Sequence, residues 1–215
     1  DWREAGRAIL ANQPLRRLLL ADLLMGIQGG INGSVHFFFV IHVLKLPQSA
    51  SLYLIAIFLT GLVLVPLFLK ISYRLGKHRT LCFGAIQSSI ATACFFILPE
   101  SSFWLTFAVF MMVGVNFGAK DFLMRSMMAD VIDQDRATVG AERSALFYSL
   151  LTLTAKLGGA LAIGIVFPIL DWVGFDPAAT NSDSVIDGVR FVVAGAPTLV
   201  TIAVAIIMWN FPLNR

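Results

Sequence analysis

Tyr148, Thr152 and Lys156 recur every four residues within one apolar run, so on a helix they share one face. A phenol, a hydroxyl and an ammonium in a row suit a carboxylate or a polyhydroxylated ligand. Lys156 lies about a dozen residues from either end of its run, too deep for its stem to carry the charge to the surface. A lysine in hydrocarbon costs about 2.5–3.5 kcal/mol, so it requires water, a ligand or an opposing acid. The alternative to ligand binding is a structural ion pair. The apolar runs hold no equally deep acid, so that partner would come from a missing segment or another chain.

A second row, Gln28, Asn32 and His36, repeats at the same spacing in the first apolar run. Polar side chains at membrane depth face a bundle interior or a watery cavity. Hydrogen bonding between helices and cavity lining both fit this stripe. The same run carries Gly26/Gly30 and Gly29/Gly33, two pairs spaced for close helix approach, and Gly114/Gly118 in a later run is a third. Asp22 lies near the start of its run, within reach of headgroups or nearby arginines. Asn116 and Lys120 stand four apart, as do Asp121 and Arg125, which are spaced to pair along a helix. For Lys120 the preferred reading is snorkelling to the near surface. His36, His42 and His78 are dispersed, and no nucleophile elbow, zinc-binding helix or phosphate loop is present, so the sequence reads as a non-enzyme with no cofactor.

These residues sit in an unusual setting. Hydrophobic residues make up 58% of the 215 positions and charged residues 13%. Soluble domains carry roughly 25% charged residues, so the outer solvent of this chain is expected to be lipid. Six apolar runs of about 20 residues or more, each long enough to cross a bilayer, occupy residues 18–44, 50–71, 81–98, 103–123, 144–170 and 189–211. Residues 1–17 read as a basic linker on the membrane face. Residues 72–80 read as a tight basic turn, 124–143 as a charged loop and 171–188 as a polar loop with acids and no basic residue. Arg3, Arg7, Arg16, Arg17, Lys70, Arg74, Lys77, Arg79, Arg125, Arg136, Arg143 and Arg215 fall on one side, and only Lys45 and Arg190 fall near the other. The positive-inside rule therefore puts both termini in the cytoplasm. Pro66 marks a kink in the second span. The net charge of +3 comes from short clusters and leaves no basic stripe for nucleic acid. Cys82 and Cys94 share one run, about 18 Å apart on a helix, and cannot bridge there. A chain that starts at Asp1 and stops just after an apolar run reads as a piece of a longer protein.

The stretch Ala129-Asp130-Val131-Ile132-Asp133, then Gly140, Glu142-Arg143, Tyr148-Ser149, Thr152 and Lys156-Leu157-Gly158-Gly159, resembles the glycoside–pentoside–hexuronide:cation symporters. These are the melibiose-permease-like branch of the major facilitator superfamily. Gly76-Lys77-His78-Arg79 resembles the basic turn that recurs between its spans, and Asn210-Phe211-Pro212-Leu213 resembles the end of its last helix. The resemblance covers the whole chain and matches the C-terminal six-helix half.

It implies an all-α half-fold of two inverted three-helix repeats, here residues 18–98 and 99–215, in a bacterial plasma (inner) membrane. It implies a cation-coupled sugar or glycoside symporter working by alternating access. Lys156 would sit on the cavity face between the halves, near substrate, and Tyr148 and Thr152 would line that cavity or its inner gate. Asp130 and Asp133 would join a cytoplasmic charge network closing the inner gate, and Arg136 and Arg143 could supply ion pairs that form in one state only. A coupling cation, Na⁺ or H⁺, would be held in the N-terminal half, outside this chain. A membrane scaffold, or a six-span carrier that pairs with itself and moves a non-sugar solute, is the competing reading. Branches of the same fold move lipids.

Overall fold

A computed structural model describes residue 6, residues 11–140 and residues 142–213. Arg3, Arg7 and Arg215 lie outside the described residues. The described chain forms seven α-helices: α1 (Gln13–Phe38), α2 (Ala50–Leu75), α3 (Lys77–Ala93), α4 (Phe103–Gly114), α5 (Phe117–Val139), α6 (Ser144–Val173) and α7 (Asp183–Trp209). A π-helical turn, Phe39–Val43, prolongs α1, and a 3₁₀ turn, Cys94–Phe96, prolongs α3. Helices α4 and α5 are two pieces of one span, so the architecture is an all-α bundle of six transmembrane helices. Five of the six qualify as spans by length and apolarity alone. The third, α3, is shorter and more polar: Ser88, Ser89 and Thr92 are packed inside the bundle, where the Ser89 hydroxyl donates to the Thr198 carbonyl and the Thr92 hydroxyl bonds to the Ser88 carbonyl and the Thr198 hydroxyl.

Local chemistry explains most boundaries. Asn12 caps α1 by accepting from the Leu15 amide at 3.0 Å, and Pro14 sits in the first turn, where no amide donor is required. Residues 13–17 therefore belong to the first helix and not to a linker. Gly76, at φ 88°, alone turns the chain from α2 into α3, so the expected turn over 72–80 shrinks to one residue. Pro66 lies inside an unbroken α2.

The expected charged loop over 124–143 is mostly helix. Helix α5 runs to Val139 and ends at Gly140, because Met124, Met127, Met128, Val131 and Ile132 recur at helical spacing and bury one face. The charges ride on the other face. The polar loop also shortens, to residues 174–182, since α6 runs to Val173 and α7 starts at Asp183. The fourth span departs from the uninterrupted run that its hydropathy suggests. Its α-helix stops at Gly114 and restarts at Phe117.

The core is two apolar clusters stacked along the bundle. One gathers Leu18, Met25, Leu123, Met128, Phe147 and Met208 at the Lys- and Arg-rich end. The other gathers Val35, Phe39, Tyr53, Phe110, Val166 and Val193 at the far end. Close backbone approach locks the helices together at mid-height. A β-carbon on Gly26 would lie 2.6 Å from the Ala155 carbonyl oxygen, and one on Gly30 would lie 2.6 Å from the Ala162 β-carbon. One on Gly158 would lie 2.4 Å from the Leu23 oxygen. Gly114 and Gly118 meet α2 in the same way, at the Ile57 and Gly61 carbonyls. The Gly26/Gly30 and Gly114/Gly118 pairs are thus packing surfaces.

The two ends are tied separately. At the basic end the Arg17 guanidinium donates to the Asn210 carbonyl at 2.6 Å. At the far end Lys45 pairs with Glu100, and the Arg190 guanidinium donates to the carbonyls of Phe95, Phe96 and Leu98 at 2.7–3.2 Å. That arginine satisfies the carbonyls left open where α3 ends. Tyr73 and Trp209 lie exposed near the basic end, and Trp104 and Trp172 near the far end, as aromatics at membrane interfaces do.

Candidate functional site

The two apolar clusters leave a layer between them in which the polar residues of three spans meet. Gln28 and Asn32 come from α1, Ser88 from α3, Asn116 from the break between α4 and α5, and Lys120 from the first turn of α5. They line one cavity of about 140 Å³, together with His36. Aromatic side chains, among them Phe39, Phe58, Phe110 and Phe117, complete its walls. The expected stripe of Gln28, Asn32 and His36 is therefore brought together on one wall. Of the two glycine pairs on α1, Gly26/Gly30 packs on α6, while Gly29 and Gly33 open toward the cavity.

His36 is fixed by its surroundings. Its Nε2–H donates to the Ala50 carbonyl at 2.9 Å, and its ring sits edge-on to Phe37 and Phe110. Asn116 is buried, donates to the Ser88 hydroxyl at 3.4 Å, and presses its amide against Gly84, where a β-carbon would come within 2.3 Å. Asn116 Oδ1 and Asn32 Oδ1 are buried without a hydrogen-bond partner among the described residues.

Lys120 departs from the expected snorkelling. Its ammonium does not run to the near surface. It rests over Gly29, 3.5 Å from where a β-carbon would stand, half-buried in the cavity wall. Asn116 and Lys120 share a face in the sequence pattern, but the helix break that turns them inward is invisible to hydropathy. Asp22 is likewise an interior group and does not reach out to headgroups. It is buried, accepts the Thr154 hydroxyl at 2.7 Å and attracts Lys120 electrostatically. It thus serves Thr154, on the helix of Lys156, and forms no ion pair with a lysine among the described residues.

Tyr148, Thr152 and Lys156 do not line this cavity. They share an outer face of α6, where Thr152 and Lys156 are exposed. The Thr152 hydroxyl donates to the Tyr148 carbonyl at 2.9 Å, and the Tyr148 hydroxyl reaches the Arg125 carbonyl at 3.5 Å. Among the described residues Lys156 meets no acid within ion-pair distance.

The charged residues at the basic end pair within the chain. Lys77 donates to both carboxylate oxygens of Asp130 at 2.7 Å and to the Ser126 carbonyl at 3.3 Å. Arg136 pairs with Glu142, and Arg143 lies 3.9 Å from Asp135. Asp133 is exposed. Asp121 and Arg125 form no ion pair with each other among the described residues. The Lys77–Asp130 pair is about a third exposed, so its coupling should be about 1 kcal/mol. A double-mutant cycle of Lys77→Met and Asp130→Asn, read by thermal unfolding, measures it. Strictly additive losses would show that the pair contributes nothing. Among the described residues no three His, Cys, Asp or Glu side chains gather to hold a metal ion.

Six spans, one of them broken beside a polar cavity at mid-height, make up the half-fold of a secondary transporter. The family model for MFS/sugar transport proteins matches residues 1–215, and the chain belongs to that family. It is 26% identical to an uncharacterised symporter of Synechocystis over 86% of this chain and 35% of that protein. It is 25% identical to a glucuronide carrier protein homolog of Escherichia coli over 94% and 45% respectively. It is 24% identical to the sodium-dependent lysophosphatidylcholine symporter 1-A of Danio rerio over 100% and 41%. The chain thus spans less than half the length of these relatives.

Proposed function

We propose that this chain is the C-terminal half of a secondary active transporter that carries a sugar or glycoside with a cation by alternating access. The observation that carries the reading is the mid-height cavity beside the broken fourth span, in a chain of this family. In this reading the chain's two inverted three-helix repeats, residues 18–98 and 99–215, rock against an N-terminal half that supplies the Na⁺ or H⁺ site. Gln28, Asn32 and His36 bind solute. Lys156, Thr152 and Tyr148, on the outer face of α6, face the other half and contact solute from there. The basic end lies in the cytoplasm, as the bias of Lys and Arg supports, and the membrane is a bacterial plasma membrane. Asp130, Asp133, Arg136 and Arg143 belong to the inner gate. Since Asp130 is held by Lys77 and Arg136 by Glu142, gating would exchange those partners for residues of the other half.

The test is uptake of radiolabelled glycosides into proteoliposomes containing the complete transporter, with and without inward Na⁺ and H⁺ gradients. Gradient-driven, saturable uptake is the expected result. Saturable uptake by the isolated chain would instead favour a six-span carrier that pairs with itself, and the absence of transport by the complete protein would favour a scaffold. A non-sugar solute fits the same walls. The cavity wall is rich in phenylalanine, which accepts an acyl chain as readily as the apolar face of a sugar ring.

A further inference from the structure

The cavity's charge is one-sided. Among the described residues that line it, Lys120 alone carries a formal charge, and no carboxylate is present. No carboxylate comes within ion-pair distance of its ammonium among the described residues, and Asp22, which attracts it, does so only from beyond that distance. Its ammonium rests over Gly29, and the break before Phe117 sets Lys120 in the opening turn of α5. An ammonium left in a largely apolar wall calls for a counter-charge. Nearby, Asn32 Oδ1 and Asn116 Oδ1 are two buried acceptors without donors among the described residues.

We infer that the cavity takes an organic anion, with Lys120 binding its carboxylate or phosphate and the two asparagines receiving hydroxyl groups close to that charge. The aromatic walls hold the apolar remainder of the solute. This rests on the proposed transport function and sharpens it. The determinant of solute charge is Lys120 on α5, and it is not Lys156 on α6.

The test uses the complete transporter and two matched pairs of probes. Methyl β-glucuronide against methyl β-glucoside asks for a carboxylate on a sugar. Lysophosphatidylglycerol against monoacylglycerol asks for a phosphate on a lipid. In each pair the anionic group is the main difference. Direct binding is measured by calorimetry or by ligand-induced thermal stabilisation. In at least one pair the acidic member should bind about tenfold or more tightly than the neutral one, the size of a lost charged hydrogen bond. Lys120→Gln should erase that preference by bringing the acidic member's affinity down to that of the neutral one. Lys120→Arg should keep the preference, and this variant guards against a mere folding defect. Equal binding within both pairs, or a preference that survives Lys120→Gln, overturns the inference, and gradient-driven uptake by the same samples would leave the transport function standing. Binding of none of the four probes also overturns it, and loss of uptake as well would remove the transport reading.

Discussion

Gly158→Val should destabilise the bundle by about 3 kcal/mol, at the upper end of the usual cost of overpacking. The added β-carbon would lie 2.4 Å from the Leu23 carbonyl oxygen and 2.9 Å from the Gly26 α-carbon. Both obstacles are backbone, so no side chain can swing aside and the two helices must separate. For a chain of this size the loss corresponds to a fall in Tm of roughly 6–12 °C. Gly164→Ala is the control. Nothing lies within 4 Å of its β-carbon position, so its effect should stay below about 1 kcal/mol. Thermal unfolding of the purified chain in detergent compares the two. Equal Tm values would mean that α1 and α6 are not held at the distance described.

Lys156→Leu should have the largest effect on transport. Leucine removes a charge that costs about 2.5–3.5 kcal/mol in hydrocarbon, so the variant should insert and fold at least as well as the parent. If the exposed face of α6 meets the other half across a watery cavity, uptake by the complete transporter should fall at least about tenfold, as loss of a charged contact predicts. Full uptake by a correctly inserted Lys156→Leu protein would remove the lysine from the transport cycle. Stability and uptake are therefore expected to move apart, which a purely structural lysine would not produce. The contrast with Lys120 is useful, because the two ammonium groups lie on different helices and only Lys120 lines the cavity.

The groups that the sequence marks as chemically interesting divide in the structure into two sets. Gln28, Asn32 and His36 converge because a four-residue repeat on one rigid helix stays on one face wherever the helix goes. Tyr148, Thr152 and Lys156 stay together for the same reason. Whether the two rows face one another is not a property of either helix. That depends on the rotation of α6 about its axis, which is set by Gly158 and Ala162 against Leu23 and Gly30. The acidic stretch from Met124 to Arg143 misled for a related reason. Its charges suggested a loop, but a buried face of methionines and aliphatics keeps it helical.

Six spans, their order and the bias of basic residues to one end are legible in the residue order alone. Hydropathy and charge accumulate along a single helix and do not depend on neighbours. The residue order also marks Gly26/Gly30 and Gly114/Gly118 as places where backbones meet. The break in the fourth span, the bond from Thr154 to Asp22 and the place of Lys120 in a polar cavity emerge only from the packed bundle. Each of these depends on which faces of separate helices come within a few ångströms of one another, and that is settled by packing between helices distant in sequence.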